Sequence, residues 1–126
     1  MKGFVIDIEK ATEENTDYRR VLYTAENSQL VVMNIQPGDE IGEEVHKLDQ
    51  FIRIEKGQTK AILDGEESEM KEGFAVVIPA GTKHNIVNTG SGELKVYSVY
   101  SPPQHRDGVV HRTKAEADAD EEHFGG

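Results

Sequence analysis

The chain of 126 residues contains no cysteine, no tryptophan and no apolar run long enough to cross a membrane. Without cysteine there is no disulfide framework, no thiolate nucleophile and no iron–sulfur or cysteine zinc site. A bound metal would therefore need histidine, carboxylate or amide ligands. A membrane-spanning helix needs about 20 consecutive apolar residues. Asp7 interrupts the beginning of the chain, where a signal peptide would be continuously apolar, so we expect a cytoplasmic protein.

Basic residues are also scarce, because 14 Lys and Arg stand against 24 Asp and Glu, a formal net charge of −10. Binding to nucleic acids or anionic membranes requires clustered positive charge, so we expect neither partner. Residues 113–126 are acidic, with a single lysine. This acidic C-terminal tail has little to bury, and we predict that it is flexible, helical or disordered, outside one domain formed by residues 1–112.

The rest of the chain consists of short apolar segments separated by turn residues. Branched and aromatic residues are typical of β-strands, and pairs such as Pro37-Gly38 and Asp64-Gly65 are typical of turns. The predicted strands cover residues 4–8, 20–23, 30–35, 51–54, 61–63, 74–78, 85–87 and 94–100. Asp64-Gly65 predicts a hairpin with segment 66–71. Residues 28–100 show no extended helical period, so we predict an all-β fold, an antiparallel sandwich or barrel.

Two of the five histidines, His46 and His84, lie inside this β-rich region. Glu44 is two residues from His46, which places both side chains on one face of a strand. An antiparallel return would bring Gln50 beside them, and His84 opens a later strand. If these strands face each other, the four side chains form a site for one divalent metal ion (Mn, Fe, Zn or Ni) with positions left for water or a ligand. The alternative is a metal-free polar pocket in which Glu44 and Gln50 hydrogen-bond to each other and to His84.

The spacing of these residues resembles the two sequence motifs of the cupin family. The first motif runs Gly, five residues, His, one, His, three or four, Glu, six, Gly, and its frame here is Gly38, Glu44, His46, Gln50 and Gly57. The second motif is matched at every position, by Gly73, Pro79, Gly81, His84 and Asn88. The resemblance implies a double-stranded β-helix, or jelly-roll barrel. It extends to small stand-alone bacterial cupins, some described by similarity as mannose-6-phosphate isomerase-like.

The first motif departs from the family pattern at two positions. Glu44 stands where the family has its first His, and Gln50 stands where it has Glu. The family's three His and one Glu become two His, one Glu and one Gln, so a single carboxylate is kept at a different position. We interpret this compensation as support for metal binding, with a slight shift toward harder ions such as Mn²⁺ or Fe²⁺.

The predicted function is that of a metal-binding cupin that acts on or binds a small polar molecule in the barrel, with the reaction unassigned. A sugar-phosphate isomerase and a non-catalytic binding or sensing module are the alternatives, and an enzyme would be a metal-dependent isomerase or dioxygenase. Strand parity places Ile52 and Ile54 with Gln50, and Ile86 with His84. These isoleucines form either an apolar collar of the pocket or ordinary barrel core.

Further residues concern the mouth of the barrel and a partner subunit. His105 and His111 flank a segment that Pro102-Pro103 holds out of a helix. They would fold over the mouth, contact a partner subunit or stay in solvated loops. The family resemblance also implies a homodimer, often through strand exchange at the N-terminal side, and Phe51 and Arg53 face away from the pocket as candidate subunit contacts.

Overall fold

A computed structural model describes residues 2–120 of the chain, and antiparallel strands make up most of its regular secondary structure. The helices are α1 (Ile8–Glu14) and α2 (Lys114–Ala119). The strands are β1 (Arg19–Thr24), β2 (Gln29–Ile35), β3 (Asp49–Lys56), β4 (Gln58–Leu63), β5 (Glu66–Lys71), β6 (Ala75–Ile78), β7 (His84–Asn88), β8 (Leu94–Ser101) and β9 (Val110–His111). The predicted all-β, antiparallel fold is confirmed. Neither helix in this part of the chain is long and apolar enough to cross a membrane.

The strands form two sheets that enclose one apolar core. The larger sheet has the order β6-β3-β8-β2-β1-β9, and the smaller has the order β5-β4-β7. Along β3, Gln50, Ile52 and Ile54 are buried while Phe51 and Arg53 are partly exposed, which is the alternation expected of a strand with one face inside. Inward residues of both sheets belong to one core cluster. This two-sheet arrangement is the predicted jelly-roll barrel.

Two turns show why the sequence places glycine where it does. Asp64 and Gly65 have positive φ angles of 49° and 84°, and they join β4 to β5 with Leu63 opposite Glu66. Positive φ at both central residues is the condition for a tight hairpin turn, so the predicted hairpin is confirmed. At Gly57, a Cβ atom would lie 2.8 Å from the carbonyl oxygen of Glu93, a contact that excludes any side chain at this position.

The strand predicted over residues 4–8 is wrong. Ile8 begins α1, because Asp7 caps the helix and its Oδ1 accepts a hydrogen bond from the Lys10 backbone N–H at 3.2 Å. A residue that caps a helix ends any strand before it. Phe4 instead stacks on Tyr23 with ring centroids 5.3 Å apart. Helix α1, which sequence analysis missed, packs on the outer face of the larger sheet, where Lys95 Nζ donates to the Glu13 carbonyl.

Part of the predicted acidic tail is described by the structure and is helical. Thr113 caps α2, and its Oγ1 accepts a hydrogen bond from the Glu116 backbone N–H at 3.1 Å. Ala117 is buried and belongs to the core cluster, so α2 packs against the barrel through this small side chain. Asp120, which follows α2, contacts His111. Residues 121–126, including His123, lie outside the described residues.

Candidate metal centre

Backbone hydrogen bonds bring the loop that carries Glu44 and His46 against the start of β7. Glu44 and His84 exchange N–H···O bonds of 2.9 Å in both directions, and the Gly81 N–H donates to the His46 carbonyl at 2.8 Å. Glu44 and His46 thus lie beside an isolated β-bridge and not on the regular strand that sequence analysis assumed. The consequence is nevertheless the expected one, because three predicted ligands come together.

The side chains of Glu44, His46 and His84 converge tightly. Each offers one ligand atom, and these atoms all lie within 4.8 Å of one another. Glu44 Oε2 is 2.6 Å from His46 Nε2, and the two imidazole centroids are 5.1 Å apart. His84 Nδ1 lies 2.9 Å from the Thr82 carbonyl oxygen, so this nitrogen is assigned as the donor. The lone pair of His84 then belongs to Nε2, which is the arrangement expected of a metal-ligating histidine.

Gln50 is buried with an unused acceptor. Its side chain is 4% exposed, and Nε2 makes a long contact of 3.4 Å with Ser98 Oγ. Its Oε1 is buried without a hydrogen-bond partner. A buried amide oxygen in that state costs about 1–3 kcal/mol. An unsatisfied acceptor at the position predicted for a metal ligand fits an amide oxygen that coordinates a cation.

The charges around Glu44 favour its ionised form. Burial by itself would raise the pKa of the carboxyl group. The hydrogen bond from His46, together with the electrostatic effects of His46, Arg19 and His84, more than offsets burial and holds the pKa of Glu44 below its ordinary value. An ionised carboxylate is the state that a divalent cation needs as a ligand.

The two histidines predicted for the barrel mouth are both buried, 6% exposed at His105 and 4% at His111. His105 packs edge-on against Tyr100 with centroids 5.1 Å apart, and Tyr100 packs edge-on against His46 at 6.3 Å. His105 therefore reaches the candidate centre through Tyr100. His111 lies on β9 beside Arg19, and neither histidine is a solvated loop residue.

The isoleucines predicted for the pocket or core and the motif residue Asn88 have structural positions in the barrel. Ile52, Ile54 and Ile86 are 0%, 0% and 1% exposed and belong to the core cluster. Asn88 Nδ2 donates to the carbonyls of Ile35 and Gly92, and its Oδ1 accepts from the Gly90 N–H, all at 2.9 Å. Asn88 thus holds the turn after β7.

Three residues near the candidate centre were not predicted from the sequence: Tyr18, Arg19 at the beginning of β1, and Tyr100 on β8. All three are buried, at 5%, 8% and 3% exposed. The alternation of Arg19, Arg20 and Val21 predicts that Arg19 and Val21 share one face. Which face is inside depends on the neighbouring strands. The signal available in the sequence was this alternation, which places the charged Arg19 on the same strand face as the apolar Val21.

The fold and the clustered ligands define a double-stranded β-helix barrel with a candidate metal centre inside. The family model for the cupin domain matches residues 31–100 of this chain, a range that includes both sequence motifs. The chain belongs to the cupin family. An uncharacterised protein of Bacillus subtilis (strain 168), YrkC, is 41% identical over 128 residues, which cover 96% of this chain and 69% of that protein.

Three further proteins are similar to this chain. The uncharacterised protein L612 of Acanthamoeba polyphaga mimivirus is 42% identical over 113 residues, covering 85% of this chain and 70% of that protein. The crystal structure of BH2720 from Bacillus halodurans has a TM-score of 0.93 and 44% identity, and covers 94% of this chain and 96% of that one. KdgF from Halomonas sp., with a TM-score of 0.65 and 24% identity over 71% of this chain and 79% of that one, shares the fold.

Proposed function

We propose that the barrel holds one divalent metal ion through Glu44, His46, Gln50 and His84, and that it binds or acts on a small polar molecule there. The main support for this proposal is that three candidate ligand atoms, from Glu44, His46 and His84, lie within 4.8 Å of one another. The unpartnered Gln50 Oε1 supplies the fourth donor. Two imidazole nitrogens, one carboxylate and one amide oxygen suit Mn²⁺, Fe²⁺, Zn²⁺ or Ni²⁺.

The chain's own residues prepare this site before any ligand arrives. The Thr82 carbonyl fixes the orientation of the His84 ring. The two backbone hydrogen bonds between Glu44 and His84 fix the distance between the loop that carries Glu44 and the start of β7. When bound, the metal would polarise an oxygen atom of the ligand. Residues on the inner sheet face, among them Ile52 and Ile86, exclude water around it.

Metal analysis of protein purified without added metal tests the assignment. We expect about one divalent ion per chain, and loss of that ion when Glu44→Ala is combined with His84→Ala. Glu43→Ala is the matched control, because Glu43 is the exposed neighbour that pairs with Lys83 at 3.3 Å. Unchanged metal content in the double variant would contradict the ligand assignment.

The second candidate is a non-catalytic binding or sensing module. The apolar inner face of Ile52, Ile54 and Ile86 favours it, since aliphatic side chains supply neither an acid nor a base. A turnover screen separates the two functions. Conversion of a sugar phosphate would indicate an isomerase, and consumption of O₂ with an organic substrate would indicate a dioxygenase. Inactivity of the metal-loaded protein toward both classes would favour the binding module.

We also propose a homodimer that uses the outer face of the larger sheet. A row of cross-strand neighbours on this face is apolar: Val77, Phe51, Val99, Leu30 and Tyr23. Val77 is 64% exposed, and Phe4, stacked on Tyr23, is 42% exposed. Such a row of apolar side chains is typical of a protein contact. Solution scattering at micromolar concentration should give a dimeric mass, and Val77→Asp should reduce it to that of a monomer. A monomeric mass of the unmodified protein would contradict the proposal.

A further inference from the structure

Arg19 is a charged side chain withdrawn from water on the inner face of β1. It is 8% exposed, and its guanidinium lies over the Tyr18 ring, 5.3 Å from the ring centroid. The next residue, Arg20, points outward and pairs with Asp17 at 3.5 Å. A buried guanidinium stays charged at all accessible pH values, and its desolvation must be offset by hydrogen bonds or by a negative partner.

The described residues offer Arg19 few such partners. Nη1 contacts His111 Nδ1 at 3.4 Å, and Nε is buried without a hydrogen-bond partner. No carboxylate oxygen of the described residues lies within 4.0 Å of the guanidinium. Arginine carries five N–H donors in a planar fork, so most of this capacity and the whole charge lack a direct counterpart.

The contact with His111 positions Arg19 and does not neutralise it. His111 Nε2 lies 2.9 Å from Asp120 Oδ2, and Arg106 Nη2 donates to the same oxygen at 3.1 Å. These hydrogen bonds hold the pKa of Asp120 below its ordinary value. His111 Nε2 is assigned as the donor to Asp120, and Nδ1 is then the acceptor that faces Arg19 Nη1. The carboxylate thus orients the ring, and the ring orients the guanidinium, while the negative charge stays one residue away.

Arg19 faces the same barrel interior as the candidate ligands Gln50 and His84. Its cross-strand partner on β2 is Met33, a buried member of the core cluster that also contains Ile52, next to Gln50 on one strand face, and Ile86, next to His84 on another. Arg19 shares its buried face with Val21, a member of the core cluster. The barrel therefore holds a cluster that fits a cation and, facing the same interior, a fixed positive charge that no carboxylate of the described residues contacts within 4.0 Å.

We infer that Arg19 is an anion-binding residue of the barrel, which takes a carboxylate or phosphate group of a small ligand whose other end reaches the candidate metal centre. The inference rests on the proposed function for the metal end and adds the chemical class of the ligand. The guanidinium fork matches two oxygens of one oxyanion. A neutral ligand of the same size would leave the Arg19 charge without a partner.

Binding of paired probes to metal-loaded protein tests this inference. The probes are oxalate, malonate and succinate, each measured beside its monoamide, and phosphoglycolate measured beside glycolate. Each pair differs by one anionic group. We expect at least one charged probe to bind the unmodified protein about ten- to a hundredfold more tightly than its partner, the range typical of hydrogen bonds to a charged group. Selective binding of a dicarboxylate indicates a carboxylate ligand, and selective binding of phosphoglycolate indicates a phosphate ligand.

The matched variants are Arg19→Gln and Arg20→Gln, which each remove one positive charge from β1, on the inner and the outer face. Arg19→Gln should abolish the difference between the paired probes, and Arg20→Gln should keep it. If Arg19→Gln does not fold, Arg19→Lys retains the charge without the planar fork and should reduce the difference severalfold. Metal content is measured in every variant, so that loss of the ion is not mistaken for loss of the anion.

The outcomes separate the inference from the proposed function. Full metal content with equal binding of all paired probes, or a difference that survives in Arg19→Gln and Arg19→Lys, would overturn the role of Arg19 and leave the metal proposal standing. Unmodified protein that takes up no divalent metal would overturn the proposed function itself. A difference that disappears with Arg19 and persists in Arg20→Gln supports both.

Discussion

Two buried glutamines provide a test in which the same substitution should act with opposite signs. Gln50 and Gln29 are 4% and 1% exposed, and both are cross-strand partners of Tyr100. Gln29 is fully bonded: its Nε2 donates to Thr24 Oγ1 at 2.9 Å and to the His105 carbonyl at 2.7 Å. Its Oε1 accepts from the backbone N–H groups of Gln104 and His105 at 3.2 and 2.9 Å. Gln50 has one long contact and an unpartnered oxygen.

Methionine has nearly the shape of glutamine and removes the amide. In metal-free protein, Gln50→Met eliminates an unsatisfied acceptor that costs about 1–3 kcal/mol and loses a contact with Ser98 that contributes about 0.5 kcal/mol. We expect a net stabilisation of about 1 kcal/mol. Gln29→Met removes four hydrogen bonds and should destabilise by about 3–4 kcal/mol, a large share of the roughly 5–15 kcal/mol typical of a domain.

Urea denaturation in the presence of a chelator measures both changes as free energies of unfolding, with the slope against urea unchanged. Adding a divalent metal should make the unmodified protein more stable than Gln50→Met. A ligand at about 100 times its Kd stabilises the folded state by about 2.7 kcal/mol, and the variant that lacks the amide oxygen should gain less. A loss of more than about 1 kcal/mol in metal-free Gln50→Met would show that Gln50 Oε1 is not unsatisfied. A gain from metal equal to that of the unmodified protein would show that Gln50 Oε1 is not a ligand.

Three further predictions concern stability. In urea denaturation, Asn88→Ala should lower the free energy of unfolding by about 3 kcal/mol and Asn85→Ala by about 1 kcal/mol. The Asn88 side chain makes three hydrogen bonds, whereas that of Asn85 makes one, to the Gly42 N–H. Equal losses in the two variants would contradict this prediction. Gly57→Ala should lower the melting temperature more than Gly38→Ala, since both residues have positive φ but only Gly57 faces the Glu93 carbonyl; a smaller loss at Gly57 would count against that contact. Burial raises the pKa of Tyr18 from 10.0 to about 12, so the unfolded chain releases this proton first. The free energy of unfolding should therefore fall, by at most about 3 kcal/mol, as the pH rises through that interval. Ultraviolet titration that shows every tyrosine ionising near pH 10 would refute the shift.

Much of the barrel could be predicted because its signals are local. The alternation of Gln50, Phe51 and Ile52 assigns one strand face to the core, and Asp64-Gly65 determines a hairpin within four residues. The motif spacing also selected Glu44, His46 and His84, whose side chains converge even though Glu44 and His46 lie at a bridge and not on a regular strand. The segment before Asp7 was predicted wrongly, because an apolar alternation does not reveal that a helix cap follows it.

The sequence by itself determined the strand periodicity, the turns and the chemical types of the candidate ligands, since each depends on residues close together in the chain. Tertiary structure alone decided which side chains meet. Arg19 lies opposite His111, and Gln50 Oε1 lacks a partner, only because particular strands became neighbours. Burial then gave an ordinary arginine and an ordinary glutamine their importance, because unpaired polar groups cost free energy only where water cannot reach them.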